Sequence, residues 1–178
     1  MKKKTASIIL SIIMILSLFT ACSKVEENKT VTPAQGFTCK ASLNYNDMDI
    51  VADIEHTAPG ICKVTILEPD NIKGIEANWE AGKITLSFMG LSMEVDPDEF
   101  PATAFVPAIL DVMDRLSVAG EIQLEKDENG QECLYTGISN NGEFIAEVDK
   151  DTGYIKSIKI PAYDLKVDIT EFTPINSN

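Results

Sequence analysis

The chain has 178 residues and a formal charge of −13, with a single histidine and four cysteines. That acidity disfavours nucleic acid and anionic headgroups as partners, since both are polyanions. One histidine and no Cys-x-x-Cys pair leave no basis for a zinc site or a thioredoxin-like redox centre.

The first 21 residues stand apart. Lys2, Lys3 and Lys4 precede an apolar run, Ile8 to Phe19, that is shorter than the roughly 20 residues of a membrane span. A basic start, a short apolar run and small residues after it make a secretory signal peptide over residues 1–21. Its end, "LFTAC", resembles the lipobox of bacterial lipoproteins, although Phe19 stands where Leu is usual. The resemblance implies that Cys22 is the lipid attachment site, carrying acyl chains such as palmitate. The protein would then be held on the extracytoplasmic face of a cell membrane. Each buried CH₂ contributes about 0.8 kcal/mol, so two or three chains anchor stably. Loss of the three lysines would leave the remainder three charges more negative, an acidic body that stays solvated. Residues 22–35 ("CSKVEENKTVTPAQ") then form a flexible polar tether.

From residue 36 to 172, alternation of apolar and polar residues predicts strands. Phe37–Tyr45 alternates, and "NYNDMD" turns it into a partner containing Ile50, Ala52 and Ile54. Ile61–Leu67 is a third strand, and Pro69–Gly74 breaks the pattern. Ile84, Leu86 and Phe88 alternate, Gly90 turns, and Leu91, Met93 and Val95 alternate again. Glu121–Lys126, Cys133–Ile138, Phe144–Val148, Tyr154–Ile160 and Leu165–Phe172 follow, with "ENG", "NNG" and "DTG" at their connections. Residues 173–178 read as a frayed C-terminus. About ten strands at this spacing define a mainly β (α+β) fold built on one antiparallel meander.

One stretch breaks the alternation. "FPATAFVPAILDVMDRL" places Phe105, Ile109, Val112, Met113 and Leu116 on one helical stripe, with Asp111, Asp114 and Arg115 opposite. Pro101 and Pro107 fit only near the start of such a helix, and Gly120 suits its end. A sheet with one apolar face needs a cover, and this helix supplies it.

Catalysis finds little footing. His56 follows "DIE" and reads as an exposed residue at a strand end with no positioned partner. "DTG", Asp151–Gly153, matches a short aspartic-protease signature but sits between two strands like an ordinary turn. "DKDTG" starts like a calcium loop and lacks the later Glu. Trp79 belongs to the core or its edge. The sequence therefore predicts a non-enzyme without metal or cofactor. Cys39 and Cys62 alternate with apolar neighbours, and together with Cys133 read as buried free thiols. A Cys39–Cys62 disulfide stays open unless a strand separates the two.

Four stretches, "FTCKASLNY", "VTILEPDNIKGIEANWEAGKITLSFMG", "FPATAFVPAILDVMDRL" and "GEFIAEVDKDTGYIKSIKIPAYDLKVDITEF", resemble in their order the LolA/LppX-like lipoprotein-carrier superfamily. Firmicute lipoproteins of the GerS kind are similar in style. The resemblance implies a strongly curved antiparallel sheet, an incomplete half-barrel, covered by helix over an apolar hollow that takes acyl chains. Phe105, Ile109, Val112, Met113 and Leu116 would form the lid, and Phe88, Met93 and Val95 the hollow wall. A lid over an empty hollow would leave its stripe incompletely packed. Carriers begin with a helix before the first strand, whereas Ser23–Gln35 is too polar for one. Two functions therefore compete. One is a membrane-tethered binder of an acyl chain or lipid. The other is a regulatory module with a filled core that docks an extracytoplasmic protein partner.

Overall fold

The computed structural model describes residues 29–96 and 105–175. Cys22, most of the tether, Phe100 and Pro101 therefore lie outside the described residues. Thirteen strands, one α-helix and a 3₁₀ turn make up the described chain. They are β1 (Thr30–Val31), β2 (Phe37–Tyr45), β3 (Met48–Ala58), β4 (Ile61–Glu68), β5 (Glu76–Glu80), β6 (Lys83–Phe88) and β7 (Leu91–Val95). Helix α1 (Phe105–Val118) follows, then β8 (Ile122–Gln123), β9 (Glu125–Lys126), β10 (Glu132–Ser139), β11 (Gly142–Val148), β12 (Ile155–Ile160) and β13 (Leu165–Pro174).

Eleven of the strands form one antiparallel sheet in the order β7-β6-β5-β4-β3-β2-β13-β12-β11-β10-β9. The sheet is curved and does not close, as the sequence predicts. Its chain path is two meanders joined at a central seam, where β2 pairs with β13 from Leu165↔Tyr45 to Pro174↔Phe37. The turns are short. Asn46 and Asp47 both take positive φ between β2 and β3, the backbone a two-residue hairpin requires.

Period-2 alternation puts one face of most long strands inward, and a bulge between β11 and β12 keeps Ile155 on that face out of phase. Phe37, Cys39, Ala41, Leu43 and Tyr45 of β2 are all buried, and so are Ile50, Ala52 and Ile54 of β3. Phe144, Ala146 and Val148 of β11 and Ile155, Ile158 and Ile160 of β12 join them. Helix α1 lies on this inner face and buries Ile109, Val112, Met113 and Leu116 into the same core. Burial of each such side chain is worth about 1.5–3 kcal/mol, so the helix and sheet hold each other.

Three boundaries differ from the sequence reading. The tether is shorter than expected. Thr30 and Val31 pair with Gln123 and Ile122 of β8, Pro33 is buried, and the Ala34 N–H donates to the Gly153 carbonyl. A two-residue strand has too little period to be seen in a polar segment, but its backbone groups still find partners. The C-terminus is not frayed at residue 173: β13 runs to Pro174, and the Ile175 N–H donates to the Gly36 carbonyl. Glu121–Lys126 is not one strand, because Ile122–Gln123 pairs with β1 and Glu125–Lys126 with β10.

Candidate functional site

Helix α1 is fastened at both flanks by the charged residues that the sequence assigns to solvent. On one flank Asp114 accepts hydrogen bonds from the Gly60 N–H at 3.0 Å, in the β3–β4 turn. Its Oδ1 also lies 2.8 Å from Nε2 of His56. On the other flank Asp111 accepts from the Asn140 N–H at 2.6 Å, in the β10–β11 turn, and from Arg115 on the next helical turn. Arg115 in turn donates to the Asn140 side chain at 2.8 Å. One turn of helix thus reaches two separate turns of the sheet.

His56 is a correction to the exposed strand-end reading. It is 0% exposed, in the interior of β3 and on its inner face. Nδ1 faces the Gln35 carbonyl at 3.2 Å, and Nε2 faces Asp114. Both partners are hydrogen-bond acceptors, so the ring is tied at both nitrogens. Its ring stacks on Phe37, which stacks on Phe172, which stacks on Tyr154. His56 therefore joins the segment before β2, strand β3 and helix α1. The signal in sequence was the period: His56 is in phase with Ile50, Ala52 and Ile54.

The predicted lid residues are core residues. Ile109, Val112, Met113 and Leu116 are each at most 2% exposed, and Phe105 is half-buried against Tyr45 at 5.5 Å. The stripe that was expected to face an empty hollow belongs to the same continuous core as β2, β3, β11 and β12.

The apolar face nevertheless outruns its cover. A helix of 14 residues is about 21 Å long, whereas eleven strands spaced ~4.8 Å apart span nearly 50 Å of arc. Along β6 burial fades, from Ile84 (buried) to Leu86 and Phe88 (half-buried). Across the hairpin Leu91 is 78% exposed and Met93 is 61% exposed. Leu86 pairs with Met93 and Phe88 with Leu91, so all four lie on the continuation of the inner face. With Ile75, Ser87 and Ser92 they line an open, largely apolar pocket of about 320 Å³ to which, among the described residues, the helix contributes none. Two predicted wall residues, Phe88 and Met93, are brought together here; Val95 is half-buried one pair further along the hairpin. Ile75, Leu86 and Leu91 are the wall residues that the sequence reading missed.

The outer face is different in kind. A groove of about 370 Å³ is lined by Lys40, Asp53, Glu55, Lys63 and Glu171 with several threonines. Its lysines are engaged, Lys40 with Glu171 and Lys63 with Glu76. The turn Asp149–Gly153 is held as a turn: Asp149 accepts from the Asp151 and Thr152 N–H groups and from Lys156. Among the described residues no group of three or more His, Cys, Asp or Glu could hold a metal ion. Cys39, Cys62 and Cys133 are free. β3 lies between the strands of Cys39 and Cys62, and burial pushes the Cys39 thiol up to about 12. Cys133 is only half-buried, contrary to expectation, because the sheet edge covers it incompletely.

Fold and site define an antiparallel half-barrel with one clamped helix and an apolar groove left open beside it. No family model and no curated protein matches the sequence. Among solved structures, the chain is similar to an uncharacterized conserved protein from Thermus thermophilus, with a TM-score of 0.50 and 8% identity over 82% of each chain. At that identity the likeness is one of fold. Also similar are a LolA superfamily protein from Nitrosomonas europaea (TM-score 0.38, 8% identity, 85% of this chain and 90% of that one) and a DUF1329 family protein from Desulfovibrio piger (0.42, 12%, 79% and 84%).

Proposed function

We propose that this protein is an extracytoplasmic lipoprotein that binds an acyl chain or lipid in the groove of Ile75, Leu86, Phe88, Leu91 and Met93. The observation that carries the reading is the inner apolar face running past the helix into an open pocket of about 320 Å³. That volume falls within the roughly 300–1,000 Å³ of small-ligand sites. A hydrocarbon chain laid there would cover Leu91 and Met93 and needs no polar recognition. The clamped helix is a fixed cover of the core and does not act as a lid over this groove.

A fluorescent polyene fatty acid titrated into the purified chain from Ser23 onward tests this. Binding should weaken at least tenfold, or about 1.4 kcal/mol, in Leu86→Asn. Equal binding by both proteins, or by neither, overturns the reading. The anchor is tested separately. An alkynyl fatty acid fed to expressing cells should label the wild type, whereas Cys22→Ala should lose the label and enter the medium. Equal labelling of both forms would sink the anchor.

The fully buried stripe favours a second reading, a protein-interaction module with a filled core. It takes precedence if no form binds the probe and the purified chain carries no extractable lipid.

A further inference from the structure

The two edges of the sheet are built differently. At one end β9 is two residues long, both charged (Glu125, Lys126), and β10 is bulged beside it. Short, charged and bulged edges resist pairing with another chain. At the other end β7 (Leu91–Val95) has five residues and, among the described residues, a strand on one side alone. Its inward row is Leu91, Met93 and Val95, its outward row Ser92 and Glu94. Glu94 is held by Lys83 of its own hairpin at 2.6 Å.

The hairpin turn fixes what this edge offers. Met89 and Gly90 both have positive φ, 50° and 80°, so the turn has two residues and Phe88–Leu91 is a hydrogen-bonded pair. By alternation Met93 and Val95 also direct their backbone groups to β6, while Ser92 and Glu94 direct theirs to the open edge.

We infer that β7 pairs with β7 of a second copy of this chain, antiparallel, about a two-fold axis through Met93. This placement sets Ser92 opposite Glu94 of the other copy, twice, so every outward backbone group in the pair finds a partner. It sets Leu91 opposite Val95 and Met93 opposite Met93, all on the apolar face. A half-residue shift of the axis would put apolar opposite polar. An axis through Glu94 would oppose two carboxylates, and one through Ser92 would use the turn residue Gly90. The strand is therefore self-complementary in one register, as a two-fold interface must be. Two five-residue strands bury less than the roughly 1,200 Å² of a standard stable interface. The dimer is accordingly weak in dilute solution and gains from confinement of both copies to one surface.

The inference goes beyond acyl binding and is read independently of it. Residue 93 of each copy would form a non-hydrogen-bonded pair, with Cα atoms about 4.5 Å apart, close enough for a disulfide. Full-length Met93→Cys, oxidised with copper phenanthroline in membranes of the expressing cells, should give at least tenfold more disulfide-linked dimer than wild type or Met48→Cys. Met48 is a fair control because it is also exposed and lies on β3. Differently tagged Ser92→Cys and Glu94→Cys chains, expressed together, should link to each other in preference to themselves. All four changed side chains are exposed, so folding is preserved, and matching thermal melts confirm it. Dimer from Met93→Cys no greater than from Met48→Cys overturns the inference. So does self-linking of Ser92→Cys equal to its linking with Glu94→Cys.

Discussion

Removing the Asp114 carboxylate would leave His56 buried with one nitrogen facing no acceptor, and would free the Gly60 N–H as well. Unmade bonds of this kind cost about 1–3 kcal/mol, more when one group is charged. Asp114→Ala should therefore lower the stability by roughly 2–3 kcal/mol, read as a lower denaturant midpoint at unchanged slope. His56→Phe, which keeps the stack on Phe37, should be milder than Asp114→Ala; the reverse order would mean that the clamp is immaterial. Gly137 is a residue whose absence of a side chain matters. A Cβ there would overlap the ring of Phe144, its cross-strand partner, which is buried. Gly137→Ala should cost roughly 1–3 kcal/mol through overpacking, seen as a lower melting temperature. Gly153 combines a φ of 73° with the Thr32 carbonyl lying against it, which is why the strap before β2 can cross at that turn. Asp149 carries a sign that pH can read. Lys156 and the Thr152 and Asp151 donors hold its carboxyl far below the usual carboxylate range. A depressed folded-state pKa contributes stability above the ordinary value near 4, and that stability is lost as pH falls toward the folded value. Asp149→Asn should thus be destabilised by about 1 kcal/mol at pH 7, a figure limited by solvent screening, and the gap should close below pH ~3. A gap that widened in acid would contradict the assignment.

At the scale of elements, helix α1 is the test case. Its stripe is buried among strands on both sides of the seam, so truncation opens a cavity as well as losing transfer energy. Met113→Ala and Leu116→Ala should each cost about 2–5 kcal/mol in denaturant melts. Costs near 1 kcal/mol would restore the picture of a lid over a void. The sequence displayed this helix, and nearly every long strand, because amphipathic period is a property of each segment alone. It could not display which apolar stripe ends up covered, since coverage depends on how far one helix reaches across eleven strands. Leu91 and Met93 have the same alternation as Ala41 and Leu43, yet the first pair is exposed and the second buried. The short strand β1 escaped notice because two residues carry no period, and β8 and β9 were merged into one strand for the same reason. His56 was misread for a related reason: its polarity suggested solvent, while its phase along β3 pointed inward.

The whole molecule joins its first and last long strands at the middle of the sheet, so the two meanders have β2–β13 as their backbone seam. Helix α1 crosses from one meander to the other, with Asp114 on the β3–β4 turn and Asp111 on the β10–β11 turn. A sheet divided at a central seam could open as two halves; a helix fastened to both halves makes that opening costly. The native thiols report on this directly. Cys39 lies on the seam strand opposite Phe172, Cys62 lies two strands away, and both are buried. Burial raises both thiols, Cys39 to about 12, so few thiolates are present at pH 8 even when a thiol is briefly reached. Cys133 is half-buried near the charged edge. Exposed in native buffer to an alkylating reagent, Cys133 should react first, with Cys39 and Cys62 following slowly and at equal rates. Equal rates are expected because groups reached only through global opening share its free energy. Asp111→Ala loosens the helix from the β10–β11 turn without touching either thiol. It should speed Cys39 and Cys62 together if the clamp makes the two meanders one cooperative unit. Acceleration of Cys39 alone would show instead that the seam opens by itself.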